Sequence, residues 1–131
     1  MRKVARRQCG HVCFECEGDP LRVSVCHCLD CQRRSGSAFA AQVRFSGKNV
    51  TSKGTWHEFV RVADSGANVL QQFCPRCGTG VSYHSANAPE IVAIPLGLFE
   101  DPYTFEPAFS VYEHRRHPWL AVTGNNIEHQ D

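Results

Sequence analysis

Three cysteines fall within the six residues "CHCLDC" at 26–31, and "CPRC" at 74–77 adds two more. Ligands two or three positions apart can close on one metal ion through a tight turn. Thiolate sulfur is a soft ligand that zinc takes tetrahedrally. Cys26 and Cys28 would instead make a strained local disulfide. Eight cysteines in one short chain imply disulfides in an oxidising compartment and metal in a reducing one. The N-terminal "MRKVARRQCG" is basic but lacks the apolar stretch of a signal peptide. The expected setting is therefore cytoplasmic, and the expected chemistry is metal. No apolar run approaches the roughly 18–20 residues that span a bilayer, so no membrane partner is expected.

The 131 residues suit one domain with one core, read as a single zinc domain over 1–131. Arg2, Lys3, Arg6 and Arg7 give residues 1–7 the character of a flexible basic arm. Formal net charge is only +1, which argues against nucleic acid as a partner.

Hydrophobic periodicity is mostly two. The segments at 8–16, 21–25, 38–46, 55–62, 69–74, 80–85, 90–96 and 104–112 alternate, or run apolar at strand length. Gly-, Pro- and Asp-rich turns such as "EGDP", "ADSGAN" and "FEDP" separate them. Pro95 and Pro107 assign their strands to edges or bulges. The one helical candidate is short, "LDCQRRSG" at 29–36, with Asp30 helping to satisfy its start and Gly36 ending it. The pattern predicts a mainly β, mostly antiparallel domain of about eight strands. It is built on cysteine knuckles, with one short helical turn after the C-x-C-x2-C cluster.

Cys26, Cys28 and Cys31 form one candidate metal cluster. Cys74 and Cys77 form a second knuckle, with Gly78 allowing its turn. The spacing admits one shared ion or two separate sites. A three-cysteine site is one ligand short of a closed structural site, and that shortage suits a reactive centre that holds water or substrate in the fourth position. Cys9, Cys13 and Cys16 share the predicted first strand, Cys9 and Cys13 on one face, and any of them could complete the "CPRC" site. Cys13 and Cys16 read as small buried filler. His27, between two ligand cysteines, is expected to point away from the metal in a structural role.

The order "CGHV", "CHCLDCQRRSGSAFA", "QFCPRCGTGVSYH", "IVAIPLGLFEDP" and "HPWL" resembles the glutathione-dependent formaldehyde-activating enzyme family, over roughly residues 8–120. The resemblance implies a zinc-binding β-tent fold with two zinc sites. Carried over, Cys26, Cys28 and Cys31 would hold a catalytic zinc, and Cys9, Cys74 and Cys77 a structural one. The family's first strand normally opens C-x-C-G, whereas this chain reads "RQCG". Arg7 stands where the first ligand is expected, which leaves Cys13, His11 or a water to complete the structural site, or leaves that site weak or empty.

The implied activity is that of a carbon–sulfur lyase, resembling S-(hydroxymethyl)glutathione synthase. It adds a small thiol such as glutathione to an aldehyde such as formaldehyde. Arg33, Arg34, Ser35 and Gly36, just after Cys31, are the expected glutathione-binding residues, with cationic and hydroxyl donors for an anionic thiol. His84, Glu113, His114 and Trp119 are weaker pocket candidates. The alternative is a non-catalytic zinc module that binds protein or nucleic acid. A thiol-based reductase would need a free nucleophilic cysteine, and only the strand residues Cys13 and Cys16 are spare.

Overall fold

A computed structural model describes residues 2–131. It contains eleven strands and one α-helix among the described residues, in two sheets. The smaller sheet is antiparallel, in the order β1 (Arg2–Arg6), β2 (Val12–Glu17), β5 (Val50–Ser52). The larger has the order β11 (Glu128–His129), β10 (Phe109–Val111), β3 (Arg22–Cys26), β4 (Ala40–Ser46), β9 (Ile91–Pro95), β8 (Gly80–Ser85), β7 (Asn68–Phe73), β6 (His57–Val62). Its pairings are antiparallel, except that β10 runs parallel to both β3 and β11. The mainly β expectation holds.

The core lies between the sheets. Ala5, Cys13, Phe14 and Cys16 of the small sheet pack with Val23, Val43, Phe45, Val81 and Ile94 of the large one, and with Phe99. Val23, Val43 and Ile94 are cross-strand neighbours in one row. By strand alternation, Ser24, Gln42, Arg44 and Ala93 occupy the opposite face. The large sheet thus carries an apolar face towards the core and a polar face beneath the cysteines.

Three expectations about the strands need correction. The basic arm is a strand: Arg2–Arg6 pairs with β2, Ala5 is fully buried, Arg2 binds Glu15 at 3.0 Å and Arg6 binds Glu100. Alternation here puts charged ends outwards and one small residue into the core. The strand expected at 8–16 begins only at Val12, because the chain turns first. Gly10 lies at φ +96° and donates to the Arg7 carbonyl at 2.8 Å, while the Arg7 N–H donates to the His11 carbonyl at 2.9 Å. Cys9 therefore sits in the turn and does not share a strand face with Cys13. Finally, β9 is an interior strand. Pro95 is its last residue, opposite Gln42, where the ladder ends. Pro107 precedes β10, which is confined to Phe109–Val111.

The helix α1 spans Leu29–Ser35. Gly36 ends it at φ 67°, with its N–H on the Gln32 carbonyl at 2.8 Å. Its N-cap is Cys28, whose Sγ accepts the Cys31 N–H at 3.3 Å. Asp30 does not cap the helix; its carboxylate instead binds Arg61 on β6 at 3.0 Å.

Cys13 and Cys16 are fully buried. Burial pushes their thiols up to about 11 and about 12, from an ordinary 9.0. A thiol raised on folding favours the native state only while the unfolded chain keeps its proton. Their contribution to stability is full below pH 9 and is lost as pH rises towards 12. Urea unfolding at successive pH values should show stability falling from about pH 9 upward. Replacing both residues by alanine should flatten that alkaline slope.

Candidate metal centres

β3 ends at Cys26, Cys28 caps α1 and Cys31 lies in its first turn. This strand–turn–helix gathers the three sulfurs to within 4.8 Å of one another. Cys31 is pulled down to about 5, chiefly by a hydrogen bond from the Cys26 thiol, with the Arg34 guanidinium assisting against burial. Cys26 is raised correspondingly, and Cys28 is raised by burial. Arg34 Nη2 donates to Cys31 Sγ at 3.5 Å. Its guanidinium stacks on the Tyr83 ring at 4.2 Å. No fourth Cys, His, Asp or Glu joins this group among the described residues.

Three hollows meet around these residues. One of about 260 Å³ is bordered by Cys28, Cys31, Arg34, Arg61, Tyr83 and Tyr112. Another of about 390 Å³ is bordered by Cys26, Cys31, Ser24, Gln42, Arg44 and Tyr83. A cleft of about 630 Å³ runs on between Arg34, Ser35, Phe39, Gln71, Tyr83 and Leu96. Tyr83 borders all three. Its hydroxyl accepts from Arg44 Nη2 at 3.3 Å, and burial raises its pKa despite the two arginines. Of the residues expected to bind glutathione, Arg34 and Ser35 reach the cleft. Arg33 is exposed, and Gly36 serves as the helix cap.

Tyr83 was not a candidate in the sequence, for a geometric reason. The β7–β8 register shifts between Gln72↔Ser82 and Phe73↔Gly80, leaving Val81 unpaired. The bulge breaks the alternation, so Val81 enters the core while Tyr83, two residues on, stacks with Arg34.

His27 is completely buried behind the cluster. The Ser110 hydroxyl donates to Glu113 at 2.7 Å, so it accepts from His27 Nε2 at 2.9 Å. His129 also binds Glu113, at 2.7 Å. Burial holds His27 below its ordinary pKa. It anchors the knuckle from behind, the structural role expected of it. Glu113 belongs to this network, whereas His114 and Trp119 are exposed.

The second group comprises Cys9, Cys74 and Cys77, whose sulfurs also lie within 4.8 Å of one another. Cys77 is lowered to about 6 by hydrogen bonds from Thr79. Cys74 is opposed by burial but lowered by the Cys77 backbone N–H and the Arg7 guanidinium. Arg7 is buried. It donates to the Lys53 carbonyl at 2.8 Å, the Thr55 carbonyl at 3.1 Å and Cys74 Sγ at 3.5 Å, and lies 5.3 Å from the Trp56 ring centroid. Both donor sets suit a thiophilic tetrahedral ion such as zinc, since three soft sulfurs converge in each.

A chain with these two thiol groups on a two-sheet frame belongs to the glutathione-dependent formaldehyde-activating enzyme family, whose sequence model matches residues 4–115. A comparison with curated proteins gives no match. No helix is long and apolar enough to cross a membrane among the described residues.

Gly54 faces the Arg7 guanidinium at φ +84°, and a Cβ there would lie 2.4 Å from Nη2. Gly66, at φ +89°, has nothing within 4 Å. Gly66→Ala should cost about 1 kcal/mol of backbone strain, and Gly54→Ala about 2–3 kcal/mol, because it also displaces a buried cation. Urea denaturation of the two variants side by side checks the difference.

Proposed function

We propose that the chain adds a small thiol to a small aldehyde at Cys26, Cys28 and Cys31, with glutathione and formaldehyde as the pair that family membership suggests. The thiol sulfur bonds to the carbonyl carbon, and the thiol proton ends on the carbonyl oxygen. No electrons leave the pair of substrates, and the reverse reaction is that of a carbon–sulfur lyase. The observation that carries this reading is the three-sulfur group with no fourth Cys, His, Asp or Glu beside it among the described residues, bordered by two hollows and continuous through Arg34 and Tyr83 with the larger cleft.

Zinc, when bound by the three thiolates, favours deprotonation of a thiol and polarises a carbonyl oxygen. The protein's own residues do the rest. Arg34 is pinned between Cys31 and the Tyr83 ring, and so presents a fixed cation where the cysteine hollow meets the cleft. A carboxylate of the thiol substrate would pair with it. Ser35 adds a hydroxyl at the cleft wall. Tyr83 keeps its proton, and its hydroxyl can donate to the oxygen that gains charge as the carbon–sulfur bond forms. Phe39 and Leu96 give the cleft an apolar side for the uncharged part of the thiol substrate.

Exchange NMR of formaldehyde, glutathione and their adduct tests this directly. Zinc-loaded protein should accelerate interconversion, and Cys31→Ser should abolish the acceleration. Arg34→Gln should raise the KM for glutathione by about 10–100-fold, the worth of a charge-assisted contact, with a smaller effect on kcat. If the zinc-loaded protein neither accelerates exchange nor binds glutathione, the reading is wrong.

A further inference from the structure

Position 7 leaves the second thiol group one ligand short, and the structure narrows the replacements. Cys13 is excluded: it is fully buried and its thiol donates to the Ala5 carbonyl at 3.3 Å. Arg7 is excluded as a ligand, because a guanidinium has no lone pair to offer. His11 remains. The turn closed by Gly10 brings its Nδ1 to 3.5 Å from Cys9 Sγ, the only side-chain hydrogen-bond contact His11 makes among the described residues. Two ligands on one tetrahedral zinc, with bonds of about 2.3 Å to sulfur and about 2.05 Å to nitrogen, lie about 3.5 Å apart. The Cys9 and Cys74 sulfurs are 4.0 Å apart, close to the same requirement.

We propose that Cys9, His11, Cys74 and Cys77 together bind a tetrahedral thiophilic cation such as zinc, with His11 taking the place of the missing cysteine. His11 stands outside the 4.8 Å grouping of the three sulfurs, and its ring is exposed, so joining the site takes a turn of the ring towards Cys74 and Cys77. Arg7 supplies the second half of the exchange. Among the described residues its buried guanidinium makes no contact with a carboxylate, and Cys74 is its one thiol partner. A buried cation needs an anion. A dication with three thiolates and a neutral imidazole carries a net charge of −1, which the guanidinium cancels. A four-thiolate site carries −2. The substitution at position 7 thus replaces one anionic ligand with a neutral ligand four residues later and a resident counter-charge.

The test is cobalt(II) loading of the reduced full-length chain, read by metal content, absorption and proton NMR. Two cobalt ions per chain are expected, with one solvent-exchangeable, hyperfine-shifted imidazole N–H from the coordinated ring. His11→Cys should retain both ions, lose that proton signal and gain thiolate-to-cobalt absorption. His11→Ala should weaken the second ion at least ten-fold while leaving the first in place. Uptake of a single ion by the wild type without the imidazole signal would overturn the proposal. Two ions without the imidazole signal would equally overturn it and assign the fourth place to water. Should His11→Ala fail to fold, the wild-type and His11→Cys spectra decide the matter. None of these readouts depends on turnover at Cys26, Cys28 and Cys31.

Discussion

Strand β4 carries the constraint on which the rest of the molecule depends. Val43 and Phe45 are wholly buried on one face, while Gln42 and Arg44 face the other way and bond to the Ser24 hydroxyl at 3.3 and 3.0 Å. A strand covered on both sides must satisfy opposite demands at alternate residues. A one-residue slip would put the Arg44 guanidinium into the core and Phe45 beneath the cysteines. The register with β3 and β9 is therefore tightly specified, and it aims Cys26, at the end of β3, at the polar face.

The two thiol groups use this frame differently. Cys26, Cys28 and Cys31 are local, so a single strand–turn–helix can assemble them. What the sheet adds is their surroundings: Tyr83 from β8, Arg44 from β4 and Arg61 from β6. Cys9 meets Cys74 and Cys77 only because the turn before β2 lies beside the turn between β7 and β8. The buried Arg7 guanidinium links them, donating to Cys74 Sγ and to the Lys53 and Thr55 carbonyls.

Where sequence and structure part, the causes are specific. Gly36 and the apolar runs around β3, β4 and β6 to β9 were legible because propensity and alternation act locally. β1 was missed because four of the residues at 1–7 are basic, and only pairing with β2 shows that its charges lie at the edge and Ala5 points inward. β5 and β11 are three and two residues long, too short for any period to register. Pro95 ends an interior strand, and in sequence such a proline looks like one on an edge. Tyr83 was hidden by a bulge, which a count of two cannot anticipate.

The sequence alone set a thiol pair and a triplet at spacings that one thiophilic tetrahedral ion can span. That follows from the reach of the chain over two or three residues, and needs no fold. It also determined a family, and with it a class of chemistry. The family resemblance already grouped Cys9 with Cys74 and Cys77; the paired strands added that Arg34 and Tyr83 frame the other cluster and that Arg7 is buried against Cys74. These contacts join residues tens of positions apart, whose side-chain directions depend on register, bulges and turns. No local pattern carries that information, because it exists only once the strands have paired.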